Sequence, residues 1–330
     1  MRYEYIEEIR KVLVDELKDY EGEPVLLDID ESVLSQVIFN NYGDVKIFAP
    51  EVHSILKKIN FSNVCFDNVY VREVDFSDYV GVKLNPQTIA NQDLRYSTLS
   101  GVKIIGRFDG VDIACTNFKG SNGAVINPQT VLDKNFEGTI LTNAKINGSF
   151  DGCVLNRTNF TGSECAVINP QKVANKNLSS CNFSSVTFIG PFDGCSIYNS
   201  SFEGSNGALI NPQTVKDKYL VSCIFNGVEF DGPFDNCVIM HSNFTGSKYA
   251  VIDQTKLRKI NDREMSSSRL YGTNLMDAYV VDNLTDNDRL YAKINGAHMI
   301  SLKIDEEKQK EYCIRKIRSI VRKNNNSMNK

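Results

Sequence analysis

The chain has 330 residues, 42% of them hydrophobic and 24% charged, enough to bury a core of its own. Its 37 Lys and Arg against 41 Asp and Glu leave a net charge of −4, which argues against a generic binder of polyanions or nucleic acid. No apolar run approaches the ~18 residues of a membrane span, and Met1 to Glu8 lack a secretory apolar core, so a cytoplasmic protein without a membrane partner is expected.

From the N-terminus, Tyr5, Ile6, Ile9, Val12, Leu13 and Leu17 fall on one helical stripe and predict an amphipathic helix over 2–20. Asp30 reads as the N-cap of a second helix that opens with Glu31-Ser32-Val33-Leu34. The segment 43–58 is expected to dock on the first coil of the repeats that follow. Residues 1–60 hold 7 basic and 13 acidic side chains, a net of −6, and read as a helical or mixed capping region.

The next stretch repeats. Asn-Pro-Gln recurs at Asn85, Asn127, Asn169 and Asn211, each step being 42 residues, with a degenerate fifth copy at Asp253-Gln254-Thr255. Phe108, Phe150, Phe192 and Phe234 keep the same step, each followed by Asp109, Asp151, Asp193 or Asp235. So do Phe118, Phe160, Phe202 and Phe244. Within each copy a period of five appears, as in Leu178, Phe183 and Phe188, then Phe192, Ile197 and Phe202 after one step of four. The residue two before many of these centres is small: Thr139, Thr158, Cys181, Cys195, Ser200, Cys223, Cys237. The pattern starts at Phe61 and returns at Leu270, Leu275 and Val280.

A period of five is neither that of a helix nor that of an alternating strand. A chain that turns a corner every five residues produces it, with one large and one small side chain of each side pointing inward. Four sides close a coil, and coils stack at the strand spacing of ~4.8 Å. Eight sides, with one short step and a final step of eight residues, make 42, so each repeat is two coils.

These residues resemble the pentapeptide-repeat family, over roughly Phe61 to Met299. The resemblance implies an all-β solenoid, a right-handed quadrilateral parallel β-helix over 61–303. Regular 42-residue repeats run from about 81 to 252 and irregular last coils over 253–303. The departures are the Asn-Pro-Gln insert, the paired-coil period, and Lys134, Lys176 and Lys218 where a small inward residue is expected. Asn before Pro is a helix-start signal, so the insert reads either as one helical turn with its Lys in solvent or as a Pro-containing corner loop. Either way Asn85, Asn127, Asn169 and Asn211, with the three lysines, predict a stripe of protrusions along one edge. Asp109, Asp151, Asp193 and Asp235 read as structural corners, since Asp-Gly is a turn pair.

Beyond the coils, 305–323 reads as a helix carrying Tyr312, Ile314, Ile317, Ile320 and Val321, followed by a disordered tail within a 304–330 segment of net charge +4. Solenoids need polar-faced caps, and both termini are read that way. Opposite charge at the two ends also permits a homodimer through the terminal segments.

The nine cysteines include Cys153, Cys195 and Cys237 at steps of 42, two coils or ~10 Å apart. That lies beyond the ~7 Å reach of a disulfide, so free thiols are expected. Only three histidines occur, without metal spacing, and no phosphate-binding or nucleophile motif is present. No catalytic, cofactor or metal residue is assigned. The expected function is therefore a non-enzymatic scaffold for an unidentified protein partner. An alternative implied by the resemblance is a DNA-mimicking regulator of a type II topoisomerase. That role needs an acidic rod, whereas residues 81–252 carry 13 basic and 13 acidic side chains. A polysaccharide-active β-helix enzyme using the recurrent aspartates is the third reading.

Overall fold

The computed structural model describes residues 3–253, 256–258, 270, 273–281 and 292–300. The C-terminal helix expected over 305–323, the tail, and Gln254-Thr255 of the fifth marker lie outside these residues, as does Cys313.

The chain opens with α1 (Tyr3–Leu17), β1 (Val25–Leu26) and α2 (Glu31–Ile38). Asp30 caps α2 as its position predicts, its carboxylate accepting from the backbone N–H of Ser32 at 2.9 Å and of Val33 at 3.3 Å. The buried face of α1 differs from the sequence stripe. Ile6, Arg10 and Leu17 are buried, with Leu13 and Val14 packed behind them, while Tyr5 and Val12 are exposed. The cause is Arg10. Its Nε donates to Val37 O at 2.8 Å, and Nη2 donates to Gln36 O at 2.9 Å and Asn40 Oδ1 at 2.8 Å. Nη1 meets Glu7 at 2.6 Å. A helix leaves its last carbonyls without intrahelical partners, and the planar guanidinium fork satisfies those of α2. A charged residue thereby occupies the centre of the interface.

An antiparallel hairpin follows, β2 (Phe39–Tyr42) against β3 (Val45–Phe48), then a 3₁₀ segment Pro50–Lys58 and β4 (Ile59–Asn60). β1 lies parallel to β4, which in turn bridges Val80. Lys46 in β3 bridges Val69 of the first coil. The N-terminal region is thus built onto the coil stack and shares its hydrogen-bond ladder.

Above it rises a parallel β-solenoid of about ten turns, on the order of 50 Å long at ~4.8 Å per coil. The sides are short strands or single bridges joined by corners, all paired in parallel with the coil before and the coil after. Coil length alternates. Ile140 pairs with Asn159, 19 residues on, and Asn159 with Asn182, 23 residues on. The two intervals sum to the 42 of the sequence repeat.

The interior is one continuous apolar cluster from Leu17 to Ala292. Large residues at the five-residue centres stack coil on coil, as in the aromatic series Phe160, Phe183, Phe202, Phe225 and Phe244, with ring centroids 5.1 to 6.1 Å apart. The small inward residues close the remaining polar valences. The Thr139 hydroxyl donates to Ile113 O at 3.0 Å and that of Ser200 to Leu178 O at 2.7 Å, while the Cys223 thiol donates to Ile197 O at 3.0 Å. Outside, Asn117, Asn159, Asn182 and Asn243 each accept from the backbone N–H two residues on, at 2.9 to 3.0 Å. This turn chemistry sharpens the corners. Among the described residues no helix is long and apolar enough to cross a membrane.

Candidate interaction surface

The sequence stripe resolves into a repeated staple. In each copy the Asn side chain accepts from the N–H of the following Gln, at 3.0 to 3.1 Å for Asn85, Asn127, Asn169 and Asn211. A single tight turn results, closed by hydrogen bonds such as Thr130 N–H to Asn127 O at 3.1 Å. In the third copy this turn is a single 3₁₀ turn over Pro170–Lys172 capped by Asn169, and short 3₁₀ turns recur at Leu132–Lys134, Ala174–Lys176 and Lys216–Lys218. Two residues in the left-handed region follow, Asp133 (φ 50°) and Lys134 (φ 50°) in one copy, Asp217 and Lys218 in another.

The Gln side chain then reaches one coil up. Gln171 Nε2 donates to Pro191 O at 3.0 Å and Asp193 O at 2.8 Å. Gln87, Gln129 and Gln213 clamp the carbonyls of the corresponding corners in the same way. The lysines fold back onto these amides. Nζ of Lys134, Lys176 and Lys218 donates to Gln129, Gln171 and Gln213 Oε1 at 2.6 to 2.7 Å, and all three side chains are half-buried. In the first copy Gln92 stands in the lysine's place and its amide donates to Gln87 O instead. The glutamines, which sequence reasoning did not single out, are the centre of the staple. Their signal was their place beside each Asn-Pro.

The Asn oxygens also explain a glycine. A Cβ at Gly190 would lie 2.7 Å from Asn169 Oδ1, and one at Gly106 would lie 2.0 Å from Asn85 Oδ1.

The four aspartates sit at corners. The residue after each has positive φ (Gly110, Gly152, Gly194 and Asn236), and its N–H donates to the coil above at 2.6 to 2.7 Å. Three of the carboxylates face cations: Asp109 with Arg107 at 3.0 Å, Asp151 with Lys172 at 3.0 Å, and Asp235 with Lys256 at 3.9 Å. Successive aspartates stand two coils apart and are not gathered into a cluster. Among the described residues no group of His, Cys, Asp or Glu is arranged to hold a metal ion.

Among the described residues all eight cysteines are free thiols. Burial pushes those of Cys153, Cys181, Cys223 and Cys237 up to about 12, and that of Cys195 up to about 11. Thiols so disfavoured as thiolates are poor nucleophiles and poor metal ligands.

With the stripe's polar groups consumed inside the stack, the unsatisfied surface lies elsewhere, on the side built from strand pairs. The residue before each buried strand residue points outward there: Val125, Lys145, Val167, Thr187, Leu209, Glu229 and Val251 on successive coils. The aliphatic members recur every second coil, with Val125 46%, Val167 38% and Leu209 42% exposed, and Ile189 beside Thr187 62% exposed. The alternation has a structural cause. On this side each long coil takes a step of eight residues where a regular side takes five, and the three additional residues form a bulge at Gly123, Cys165, Gly207 and Tyr249, all with positive φ. Asn122 consequently pairs with Lys103 below, while Val125 pairs with Lys145 above.

Closed four-sided coils, five-residue sides and a large–small inward pair on each define a β-solenoid of the pentapeptide-repeat class. The chain folds as a parallel β-solenoid of about ten turns, the architecture that the resemblance to pentapeptide repeats implies. No family model matches it, and no curated protein matches it. Among solved structures, it is similar to HetL, a pentapeptide-repeat protein involved in heterocyst differentiation regulation from the cyanobacterium Nostoc. Identity is 11% over 63% of this chain and 88% of that one, with a TM-score of 0.27. It is also similar to QnrB1, a plasmid-mediated fluoroquinolone resistance protein, at 13% identity over 70% of this chain and 85% of that one, with a TM-score of 0.14.

Proposed function

We propose that this protein is a non-enzymatic interaction scaffold whose working surface is the strand side of the rod. The observation that carries this reading is the aliphatic column Val125, Val167 and Leu209, exposed at every second coil on a regular strand face. Exposed apolar groups aligned over ~20 Å form a patch of the kind that marks an interaction site, unlike surface hydrophobics scattered singly. The polar groups that recur most strongly are engaged in coil-to-coil bonds, and the interior is filled by side chains, so recognition falls to outward residues. A rod of stacked coils holds such residues at fixed spacing, which suits docking of an extended partner surface.

The test is affinity capture with the full chain and with a Val167→Asp/Leu209→Asp variant, both positions being exposed. Proteins retained by the parent and lost by the variant are expected. An identical set retained by both refutes the assignment of binding to this face.

A further inference from the structure

The strand side is self-complementary, and we infer that its occupant is a second copy of this chain, packed face to face and antiparallel about a two-fold axis through Thr187. This deepens the interface reading above and rests on it. The outward residues on seven successive coils run Val125, Lys145, Val167, Thr187, Leu209, Glu229, Val251. Reversing that order about Thr187 sets Val167 against Leu209, Lys145 against Glu229 and Val125 against Val251, each pair occurring twice. Ile189, at the level of the axis, meets its own symmetry mate. Every apolar rung faces an apolar rung, and each charged rung faces the opposite charge. An interface with two-fold symmetry requires this of one surface patch.

Two further features agree. Lys145 makes no ion pair among the described residues, whereas Glu229 holds only Lys248 of the next coil, at 3.1 Å. The positive-φ bulge residues also match in size, because Tyr249 falls opposite Gly123, and Cys165 opposite Gly207. Any parallel pairing in register places Lys145 on Lys145 and Glu229 on Glu229, and like charges directly opposed are costly. The seven rungs give a patch roughly 34 Å by 15 Å, which buries about 1,000 Å² in total. That is the lower end of specific interfaces, so the dimer dissociates at accessible concentrations.

Sedimentation of the full chain from about 1 to 200 µM is expected to show a reversible monomer–dimer equilibrium. Lys145→Glu alone and Glu229→Lys alone each weaken it by about tenfold or more, since each places two like-charge contacts in the interface. The double variant Lys145→Glu/Glu229→Lys restores it, because the swapped charges again meet across the axis. Mild oxidation of Ile189→Cys/Cys165→Ser is expected to give a disulfide-linked dimer joined through position 189, read by peptide mass spectrometry. Far-UV circular dichroism confirms that each variant retains the coil.

A chain that remains monomeric at every concentration overturns the inference. So does a dimer indifferent to both single swaps, which assigns pairing to another surface such as the termini. A monomer that nonetheless loses captured proteins on Val167→Asp/Leu209→Asp overturns self-pairing while leaving the scaffold reading intact.

Discussion

The glutamine staple offers a direct measure of how the coils are held together. In Gln171→Ala, two amide hydrogen bonds to Pro191 O and Asp193 O disappear, together with the charge-assisted bond from Lys176 Nζ. A hydrogen bond contributes about 1 kcal/mol net, and more where one partner is charged. Pro191 and Asp193 are exposed, so water replaces much of what their carbonyls lose. Lys176 likewise retains its bond to Asp193 O at 3.2 Å. The expected loss is therefore ~1–2 kcal/mol, not the ~3 kcal/mol or more of an unsatisfied buried set. Urea unfolding followed by circular dichroism measures it, and a lowered midpoint at unchanged slope attributes the change to stability alone. The first copy supplies the control. Gln87 lacks a lysine partner, so Gln87→Ala is expected to cost less than the same change at Gln129, Gln171 or Gln213. Equal losses at all four sites, or a loss below about 0.3 kcal/mol at Gln171, would refute the argument that these amides bind coil to coil.

Two other predictions concern the interior. Phe202 is fully buried among Phe183, Phe188, Phe192 and Phe225, at 5.2 to 6.1 Å between centroids. Phe202→Ala should cost about 3–5 kcal/mol, since coils fixed above and below restrict collapse into the void; a urea-derived loss under about 2 kcal/mol contradicts this packing. Native alkylation at pH 8 should label exposed Cys165 and spare Cys153, Cys181, Cys195, Cys223 and Cys237. Those five thiols ionise near 9.0 in the unfolded chain and only at about 11 to 12 in the fold. The unfolded chain therefore releases protons first, and the stability contributed by the neutral thiols is complete below pH 9 and declines from there toward 12. Labelling of any of the five in the folded protein, or stability that rises with pH across that window, runs against the burial described.

The sequence by itself determined the coil. Burial is a property of single residues, and the inward residues recur at every fifth position, so Phe183, Phe188 and their small companions displayed the sides without any knowledge of partners. The 42-residue step likewise announced paired coils, and Asp30 announced the start of a helix, because capping acts within three residues of the chain. The cysteine spacing forecast free thiols, since stacked coils set the separation. Only the tertiary structure decided where the polar groups go. Gln171 finds its carbonyls 20 and 22 residues away on the next coil, a neighbourhood created by stacking. The lysines, read as inward misfits or solvent-facing protrusions, prove to be partners of those amides. Arg10 sits among other charged residues, Glu7, Glu8 and Lys11, and its buried role was not legible because the carbonyls it satisfies belong to another helix. The aliphatic column appeared only once the bulges at Gly123, Cys165, Gly207 and Tyr249 had absorbed the extra residues of each long coil, since that placement sets which outward residues align from one coil to the next.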